Sequence, residues 1–190
     1  MIKRRLIFKG VSEIVGSNDL GLLILTDEER ERQISIVCER NTAVQIDLRM
    51  KHLPVAEIML PEALYSLLKK LEYTDFEIVI YDLVDGQYMT HLEERKSGLS
   101  VSVRVSDAVL FSIIGDFPIY IEESLMTRQS VFYNANAKGV SLPVNSISDD
   151  MLQFALDKAI SEENYELASH LRDEKSKRNL NQKNKGISHT

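Results

Sequence analysis

The chain has a single cysteine, Cys38, among its 190 residues. One thiol excludes an intramolecular disulfide framework and a cysteine-rich zinc site, and it is typical of a protein kept in the reducing cytoplasm. Long hydrophobic runs are also missing, because the longest, around residues 108–114, is too short to span a bilayer. We therefore expect a soluble cytoplasmic protein that has no membrane partner.

Several signatures of enzymes and of nucleic-acid-binding proteins are missing as well. The four histidines lie apart, and no two have the i, i+4 spacing of zinc ligands on a helix. The sequence has neither a glycine-rich phosphate loop nor a Gly-x-Ser-x-Gly nucleophile elbow. The formal net charge of −6 excludes attraction of nucleic acid by the average field of the molecule. A local basic patch would still bind it, so nucleic acid stays an open class of partner.

The order of the hydrophobic patterns predicts an α+β fold. Strands are predicted over residues 6–15, 20–25, 33–38, 76–83 and 87–92. Residues 117–121 are predicted to form a short edge strand or an extended segment. Asp85 and Gly86 form a hairpin turn signal. Helices are predicted over 41–50 and 61–73, the second with an apolar face of Leu64, Leu67, Leu68 and Leu71. We expect a mixed, largely antiparallel sheet with packed helices, followed by a C-terminal α-helical hairpin.

The period of the pattern changes in the middle of residues 100–115. Residues 99–105 alternate apolar and polar side chains, which predicts a half-buried strand. Ser106 then fits a helix N-cap, Asp107 the first turn, and Gly115 the residue that closes the helix. Such a junction places Arg104, Ser106 and Asp107 together at one edge of the sheet, as the first candidate for a polar site. The alternative is an ordinary helix cap beside a solvated arginine.

Composition divides the chain into two folded units, of which the first is expected over residues 1–125. Residues 126–147 lose periodicity and gain asparagine, glycine and proline, which predicts a linker. Apolar residues at helical spacing then predict a hairpin of two helices over 148–180, and a basic flexible tail follows over 181–190. One hairpin of this length buries too little apolar surface to be stable alone, which favours docking onto a partner.

The hairpin resembles the UVR motif, a small helical module shared by nucleotide-excision-repair subunits and several bacterial stress-response proteins. The resemblance is carried by Leu152, Leu156, Ala159, Tyr165, Glu166, Ala168, Leu171, Arg172 and Asp173. Tyr165 stands where the family usually has phenylalanine. The resemblance implies that the hairpin binds a protein partner through Leu152, Leu156, Tyr165, Glu166, Leu171 and Arg172.

Residues from about 6 to 125 resemble the bifunctional nuclease domain, a family first associated with RNase and DNase activity in plants and widespread in bacteria. The resemblance rests on the order of the elements, the hairpin at 76–92, the segment Val-Arg-Val-Ser-Asp-Ala-Val at 103–109, and Phe-Pro-Ile-Tyr at 117–120. It implies a bacterial protein with the α+β fold of that family. If the domain is an active nuclease, Mg²⁺ or Mn²⁺ is the implied cofactor.

A metal-dependent nuclease needs carboxylates that hold the ion and activate water, and a cation near the phosphate. The candidates for the catalytic site are Asp107, Arg104, Ser106 and Glu62, with Asp107 as a metal ligand and Asp82 and Asp85 as further carboxylates. A structural bridge that ties strand to helix explains Arg104 and Asp107 equally well. Convergence of Arg104, Asp107 and Glu62 in an open cleft would favour an enzyme, and a closed bridge would favour a binding module.

Three features of the family are replaced in this chain. Arg40 and Asn41 stand for a Glu-Ala pair, residues 60–64 for a Thr-His-Asp-Leu helix opening, and Ser102 for an acidic residue. We therefore expect a protein-interaction module with a weakened or inactive nuclease-like domain and a partner-binding hairpin, with self-association of the sheet domain into a homo-oligomer. The alternative is an active divalent-metal-dependent nuclease of low specificity that acts on RNA or DNA.

Overall fold

In the computed structural model, the described residues are 2–13, 19–133 and 149–186. They belong to two compact units. The first contains a β-sheet with helices packed against it, and the second contains a pair of helices. Among these residues, no helix combines the length and the hydrophobicity that a membrane crossing requires.

Eight strands in the described ranges form one sheet. In chain order they are β1 (Lys3–Glu13), β2 (Leu20–Asp27), β3 (Arg32–Glu39), β4 (Phe76–Val84), β5 (Gln87–Glu94), β6 (Leu99–Ser102), β7 (Ile119–Glu122) and β8 (Val131–Phe132). Across the sheet the order is β6-β5-β4-β7-β1-β2-β3-β8. β4 and β7 pair in parallel, whereas β1 pairs antiparallel with β2 and β7, and β2 with β3. The mixed, largely antiparallel sheet expected from the sequence is confirmed.

The helices lie between and after these strands. They are α1 (Arg40–Met50), α2 (Leu60–Lys70), α3 (Val105–Gly115), α4 (Glu123–Gln129), α5 (Asp149–Ser161) and α6 (Tyr165–Gly186), with a 3-10 helix over Pro54–Ile58. Helices α5 and α6 pack against each other. The α+β class and the C-terminal pair of helices are therefore confirmed.

The core of the first unit forms around the central strands. β2, β3 and β4 bury runs of consecutive residues, as strands covered on both faces do. Leu23, Ile36 and Ile78 are fully buried in one cluster with Ala108 and Val109 of α3. Since α3 is anchored in this core, its first turn is held at a fixed position beside the sheet.

Two elements occupy residues that the sequence assigns to a linker. Helix α4 contributes the buried Leu125 and Met126, and β8 pairs with β3. The sequence pattern does not reveal these two elements, because such short elements carry little periodicity. Helix α6 likewise continues to Gly186, past the expected end at 180. The rest of the expected linker, residues 134–147, lies outside the described residues.

Strand β7 is central rather than an edge strand. It lies between β4 and β1, and Pro118 directly precedes it. The Pro118 carbonyl accepts a hydrogen bond from the Ile78 N–H at 2.9 Å, so the proline joins the sheet through the one backbone group it retains. The structure therefore differs from the sequence-based expectation in the place of this strand in the sheet.

Candidate functional site

Arg104 binds two carboxylates at the start of helix α3. Its Nε donates to Oδ2 of Asp107 at 2.8 Å, and its Nη2 donates to Oδ1 of the same residue at 3.3 Å. Its Nη1 donates to Oε1 of Glu39 at 2.9 Å. We call these three residues the junction cluster.

The backbone explains why the three side chains meet. Arg104 is the N-cap residue of α3 in extended conformation, and Asp107 lies in the first turn three residues later. Glu39 ends β3 and is the N-cap residue of α1, again in extended conformation. Helices α1 and α3 pack against each other, so the two helix starts bring the three charges together. Asp107 also lies at the positive end of the α3 dipole, which stabilises its charge.

The structure corrects the expected details of this junction. β6 ends at Ser102 and all four of its residues are exposed, since it is an edge strand that pairs only with β5. The helix begins at Val105, so Ser106 is a buried residue of the first turn and not the N-cap. At the other end, Gly115 is the last helical residue, and Asp116 takes the left-handed conformation with φ 54°. The expected N-cap and the expected closing residue are both wrong by one or two positions.

The side chains of Arg104 and Glu39 are well exposed to solvent, and that of Asp107 is partly exposed. Water therefore screens the ion pairs, and each contributes little to stability. Hydrogen bonding to Asp107, followed by the charges of Asp107 and Glu39, raises the pKa of Arg104 above its usual value. Arg104 therefore offers a permanent positive charge at the start of α3.

Glu62 belongs to a different ion pair. Its Oε2 accepts a hydrogen bond from Nη2 of Arg49 at 2.6 Å, and the two side chains are only 17% and 6% exposed. Arg49 also donates from Nη1 to the carbonyl of Gln45 at 2.7 Å. Glu62 is therefore bonded to α1 and not to Arg104, and the convergence of Glu62 with the junction cluster that would favour an enzyme is absent from these contacts.

The further carboxylates have local roles. Asp82 accepts a hydrogen bond from the N–H of Leu83 at 2.8 Å. Asp85 and Gly86 both have positive φ, 50° and 79°, as a type I′ hairpin turn requires. The predicted turn is confirmed, and neither aspartate is bonded to the junction cluster in the contacts described.

The junction cluster does not fit a divalent metal ion. Mg²⁺ and Mn²⁺ prefer several carboxylate or carbonyl oxygens that converge on one point. Both oxygens of Asp107 accept from Arg104, and Glu39 also faces the same guanidinium. In residues 2–13, 19–133 and 149–186, no group of three or more His, Cys, Asp or Glu side chains is arranged to hold a metal. The expected role of Asp107 as a metal ligand finds no support in this donor set.

Sequence reasoning missed Glu39 and Arg49. Glu39 is 65 residues from its partner Arg104, and Arg49 is 13 residues from Glu62. Neither separation follows the period of a helix or a strand, so no local pattern points to these pairs. The one available signal was the position of Glu39 in the short gap between a strand predicted to end at residue 38 and a helix predicted to begin at residue 41.

The second unit exposes several large side chains. Leu152 and Leu171 are buried, together with Ala159 and Ala168. Arg178 of α6 donates to Oδ1 of Asp149 in α5 at 2.9 Å and ties the two helices together. The exposed side chains include Phe154, Ile160, Tyr165, Glu166 and Arg172. Of the residues expected to bind a partner, Leu152 and Leu171 are buried and Leu156 is partly buried. The other three, Tyr165, Glu166 and Arg172, face solvent.

The comparison with protein families finds a family match within the first unit. The model of the bifunctional nuclease domain matches residues 23–134, a range that begins in β2 and contains the junction cluster and the Arg49–Glu62 pair. No curated protein matches the chain. Because the match covers more than half of the 190 residues, this chain belongs to the bifunctional nuclease domain family.

Proposed function

We propose that this protein is a bacterial binding protein, in which a nuclease-like domain has lost catalysis at the junction cluster and a UVR-type hairpin holds a protein partner. The observation that carries the proposal is the bidentate contact of Arg104 with Asp107. A lone free cysteine supports the cytoplasm as its compartment.

The bidentate contact with Arg104 occupies the carboxylate of Asp107, the leading candidate for catalysis. A general base or a metal ligand must present an oxygen lone pair to water or to the ion. Arg104 covers both oxygens of Asp107 and also binds Glu39, while Arg49 binds Glu62. The carboxylates that phosphodiester hydrolysis would need are thus divided between two separate arginines.

The exposed side chains of the hairpin support partner binding. Phe154, Ile160 and Tyr165 are large and apolar or amphipathic, and all three are more than half exposed. Aromatic residues of this kind are enriched among the anchors of protein interfaces. Two antiparallel helices also form half of a four-helix bundle, which a partner hairpin would complete.

A second candidate is an active metal-dependent nuclease of low specificity on RNA or DNA. Membership of the bifunctional nuclease domain family and the exposure of Asp107 and Glu39 favour it. In this case Arg104 would have to release Asp107 and turn toward a substrate phosphate, where a guanidinium is a good ligand.

Cleavage of labelled single-stranded RNA and DNA, with Mg²⁺ or Mn²⁺ supplied, separates the two candidates. We expect no cleavage by the purified full chain. Cleavage that is lost in Asp107→Ala but kept in Asp75→Ala would overturn the proposal. Asp75 is a matched control because it forms another exposed Arg–Asp pair, with Arg95, outside the junction cluster.

Partner capture tests the hairpin. Tagged full chain is compared with Phe154→Asp and with Leu99→Asp, which places the same charge on an exposed apolar site of the first unit. We expect a protein that is retained by the unmodified chain and by Leu99→Asp and is lost from Phe154→Asp. Equal capture by all three chains would argue against the hairpin. Circular dichroism establishes that both variants keep their helices.

A further inference from the structure

Strand β6 forms a free edge of the sheet. It is the last strand in the order and pairs only with β5, so within the described residues its other side has no neighbouring strand. All four of its residues, Leu99–Ser102, are exposed. Edge strands of natural proteins often carry a charge or a proline that blocks further pairing, and the sequence Leu-Ser-Val-Ser has neither. This edge is therefore open to another strand.

The register of β6 shows which of its backbone groups face outward. The N–H of Val103, directly after the strand, donates to the carbonyl of Thr90 at 3.2 Å. These two residues continue the register in which Ser102 lies opposite His91. Because hydrogen-bonded pairs alternate along an antiparallel ladder, every second residue before Val103 bonds toward β5. The N–H and C=O groups of Ser100 and Ser102 therefore point away from the sheet and offer two donors and two acceptors.

The two faces of β6 differ in polarity. Val101 lies opposite Leu92, which packs against the core of the first unit. Leu99 shares this face because side chains alternate along a strand, and Leu99 and Val101 are both 47% exposed. Ser100 lies on the other face, opposite Glu93. An added strand would thus meet apolar side chains on one face and polar side chains on the other.

We propose that this edge binds an extended segment of a partner protein, which adds as an antiparallel strand and carries a lysine or arginine between two apolar residues. The apolar side chains cover Leu99 and Val101. The basic residue lies opposite Ser100 and exchanges both backbone hydrogen bonds with it. Its side chain lies on the face of Glu93, about two strand spacings or roughly 10 Å away, which two long side chains can bridge. Backbone bonds supply the affinity in such strand addition, and alternate side chains supply the specificity.

Glu93 is the group that selects a basic residue. It is partly exposed and has no ion pair in the contacts of the described residues. The arginines on either side of β6 are neutralised, since Arg95 is bound to Asp75 and Arg104 is bound within the junction cluster. Lys96 lies in the preceding turn, beyond the residues of β6. The charge left beside the middle of the strand is therefore negative, as is the net charge of the whole chain.

Binding of a labelled peptide to the full chain tests the proposal. The probe is fluorescein-labelled Ser-Val-Lys-Val-Ser, and fluorescence anisotropy measures its Kd, which we expect to be about 100 μM. In the antiparallel arrangement the lysine N–H faces β6 and the valine N–H groups face away. N-methylation of the lysine should therefore weaken binding at least about tenfold, and N-methylation of the valines should change it little. Absence of binding at about 1 mM, or equal effects of the two modifications, would overturn the inference.

A variant of the chain tests the same hydrogen bond from the other side. Ser102→Pro removes an outward N–H and leaves the bonds between β6 and β5, and proline is tolerated in an edge strand. Ser102→Ala is the matched control because it keeps the N–H. We expect at least about tenfold weaker binding by Ser102→Pro and unchanged binding by Ser102→Ala. Equal binding by the two variants would contradict the proposal. Thermal unfolding establishes that both are folded, and the N-methylated peptides need no variant of the chain.

The role of Glu93 is tested by the charge of the peptide. Replacement of the peptide lysine by glutamate should weaken binding about threefold, as for an exposed ion pair. This preference should disappear in Glu93→Gln and persist in Glu57→Gln, which removes the same charge from the 3-10 helix. A preference that is equal in the two variants would mean that the net charge of the chain, and not Glu93, attracts the lysine, and it would overturn the selection by Glu93.

Two further outcomes separate this edge from other binding. Sedimentation velocity that shows a dimer of the unmodified chain and its loss in Ser102→Pro would assign the edge to a second copy and overturn the proposal. The hairpin belongs to the other unit. A protein held by the hairpin alone is therefore unaffected by changes in β6, and Phe154→Asp should bind the peptide as the unmodified chain does. Loss of peptide binding in Phe154→Asp would place the peptide on the hairpin instead.

Discussion

Among the ion pairs described in the first unit, the one between Arg49 of α1 and Glu62 of α2 is the most buried. The distance between Arg49 Nη2 and Glu62 Oε2 is 2.6 Å. Arg49 is held in place by a second hydrogen bond, to the carbonyl of Gln45. The pair crosses the turn that contains the 3-10 helix, and it fixes the start of α2 against α1. Glu62, which the sequence suggests as a catalytic carboxylate, is therefore bound to a structural partner.

Removal of Glu62 should be costly, because it leaves a buried guanidinium without its counter-charge. We expect Glu62→Gln to lower the free energy of unfolding by about 3 kcal/mol. The double variant Arg49→Met/Glu62→Met should be more stable than Glu62→Gln, since an apolar pair removes the buried charge altogether.

Urea denaturation followed by circular dichroism measures these differences. Asp47→Asn is the control, because it breaks the exposed Lys51–Asp47 pair of the same helix α1 and should cost less than about 0.5 kcal/mol. A Glu62→Gln variant as stable as Asp47→Asn would contradict the structural role of the pair.

The Arg104–Asp107 pair should contribute much less. Asp107→Ala removes an exposed ion pair and a negative charge from the first turn of α3, and we expect a loss of about 1 kcal/mol. A double-mutant cycle with Arg104→Ala should give a coupling energy of about 0.5 kcal/mol that decreases in 1 M salt. A coupling that is large and insensitive to salt would mean that the pair is shielded from water.

Substitutions at Gly115 and Asp116 should change the stability of the protein in opposite directions. Alanine usually stabilises a helix relative to glycine, but a Cβ at Gly115 would overlap the ring of Phe117. Phe117 is buried among Phe76, Phe111 and Tyr65 and has little room to move. We expect Gly115→Ala to cost about 1–3 kcal/mol.

Asp116→Gly should stabilise the protein by about 0.5–1 kcal/mol, because Asp116 has φ 54° at the end of α3. Thermal unfolding measures whether Gly115→Ala lowers the Tm and Asp116→Gly raises it. A Gly115→Ala variant with a raised Tm would show that Phe117 moves aside.

Glu94 should make the free energy of unfolding depend on pH in the acidic range. Hydrogen bonds from the Ser97 side chain and the Ser97 N–H, each 2.7 Å long, lower the pKa of Glu94. Because the folded pKa is below the unfolded value of about 4.3, the stabilisation is complete above that pH and is lost as the pH falls through the folded pKa.

Glu94→Gln should therefore lower the urea midpoint at pH 7, and the difference from the unmodified chain should shrink by pH 3. Glu93→Gln, on the opposite face of β5, serves as the control. A gap between Glu94→Gln and the unmodified chain that is the same at pH 7 and pH 3 would contradict the role of the carboxylate.

Local sequence patterns predicted the helices, strands and turns better than they predicted the contacts between distant segments. The Arg104–Asp107 pair could be predicted, because three residues separate its members across a single helix start. The turn at Asp85 and Gly86 could be predicted for the same reason, since it depends on two adjacent residues. The fold class followed from the order of such local signals.

Contacts between distant segments could not be predicted. Glu39 and Arg49 meet their partners because α1 packs against α3 and because α1 and α2 both pack against the 3-10 helix, which no periodicity records. The position of β7 is set by its pairing with β1 and β4, and its sequence reads equally well as an edge strand. The leucines of α2 form an amphipathic pattern, but the pattern does not say that the core covers Leu68 and leaves Leu64 and Leu67 exposed.

The central place of β7 also determines when the sheet can close during synthesis. The strands β1, β2 and β3 form one meander, and β4, β5 and β6 form another, yet β7 alone joins the two halves. Until residue 122 has left the ribosome, β1 and β4 each present an open edge, which is a site for aggregation. A nascent chain stopped before β7 would thus carry two half-sheets that only β7 can unite.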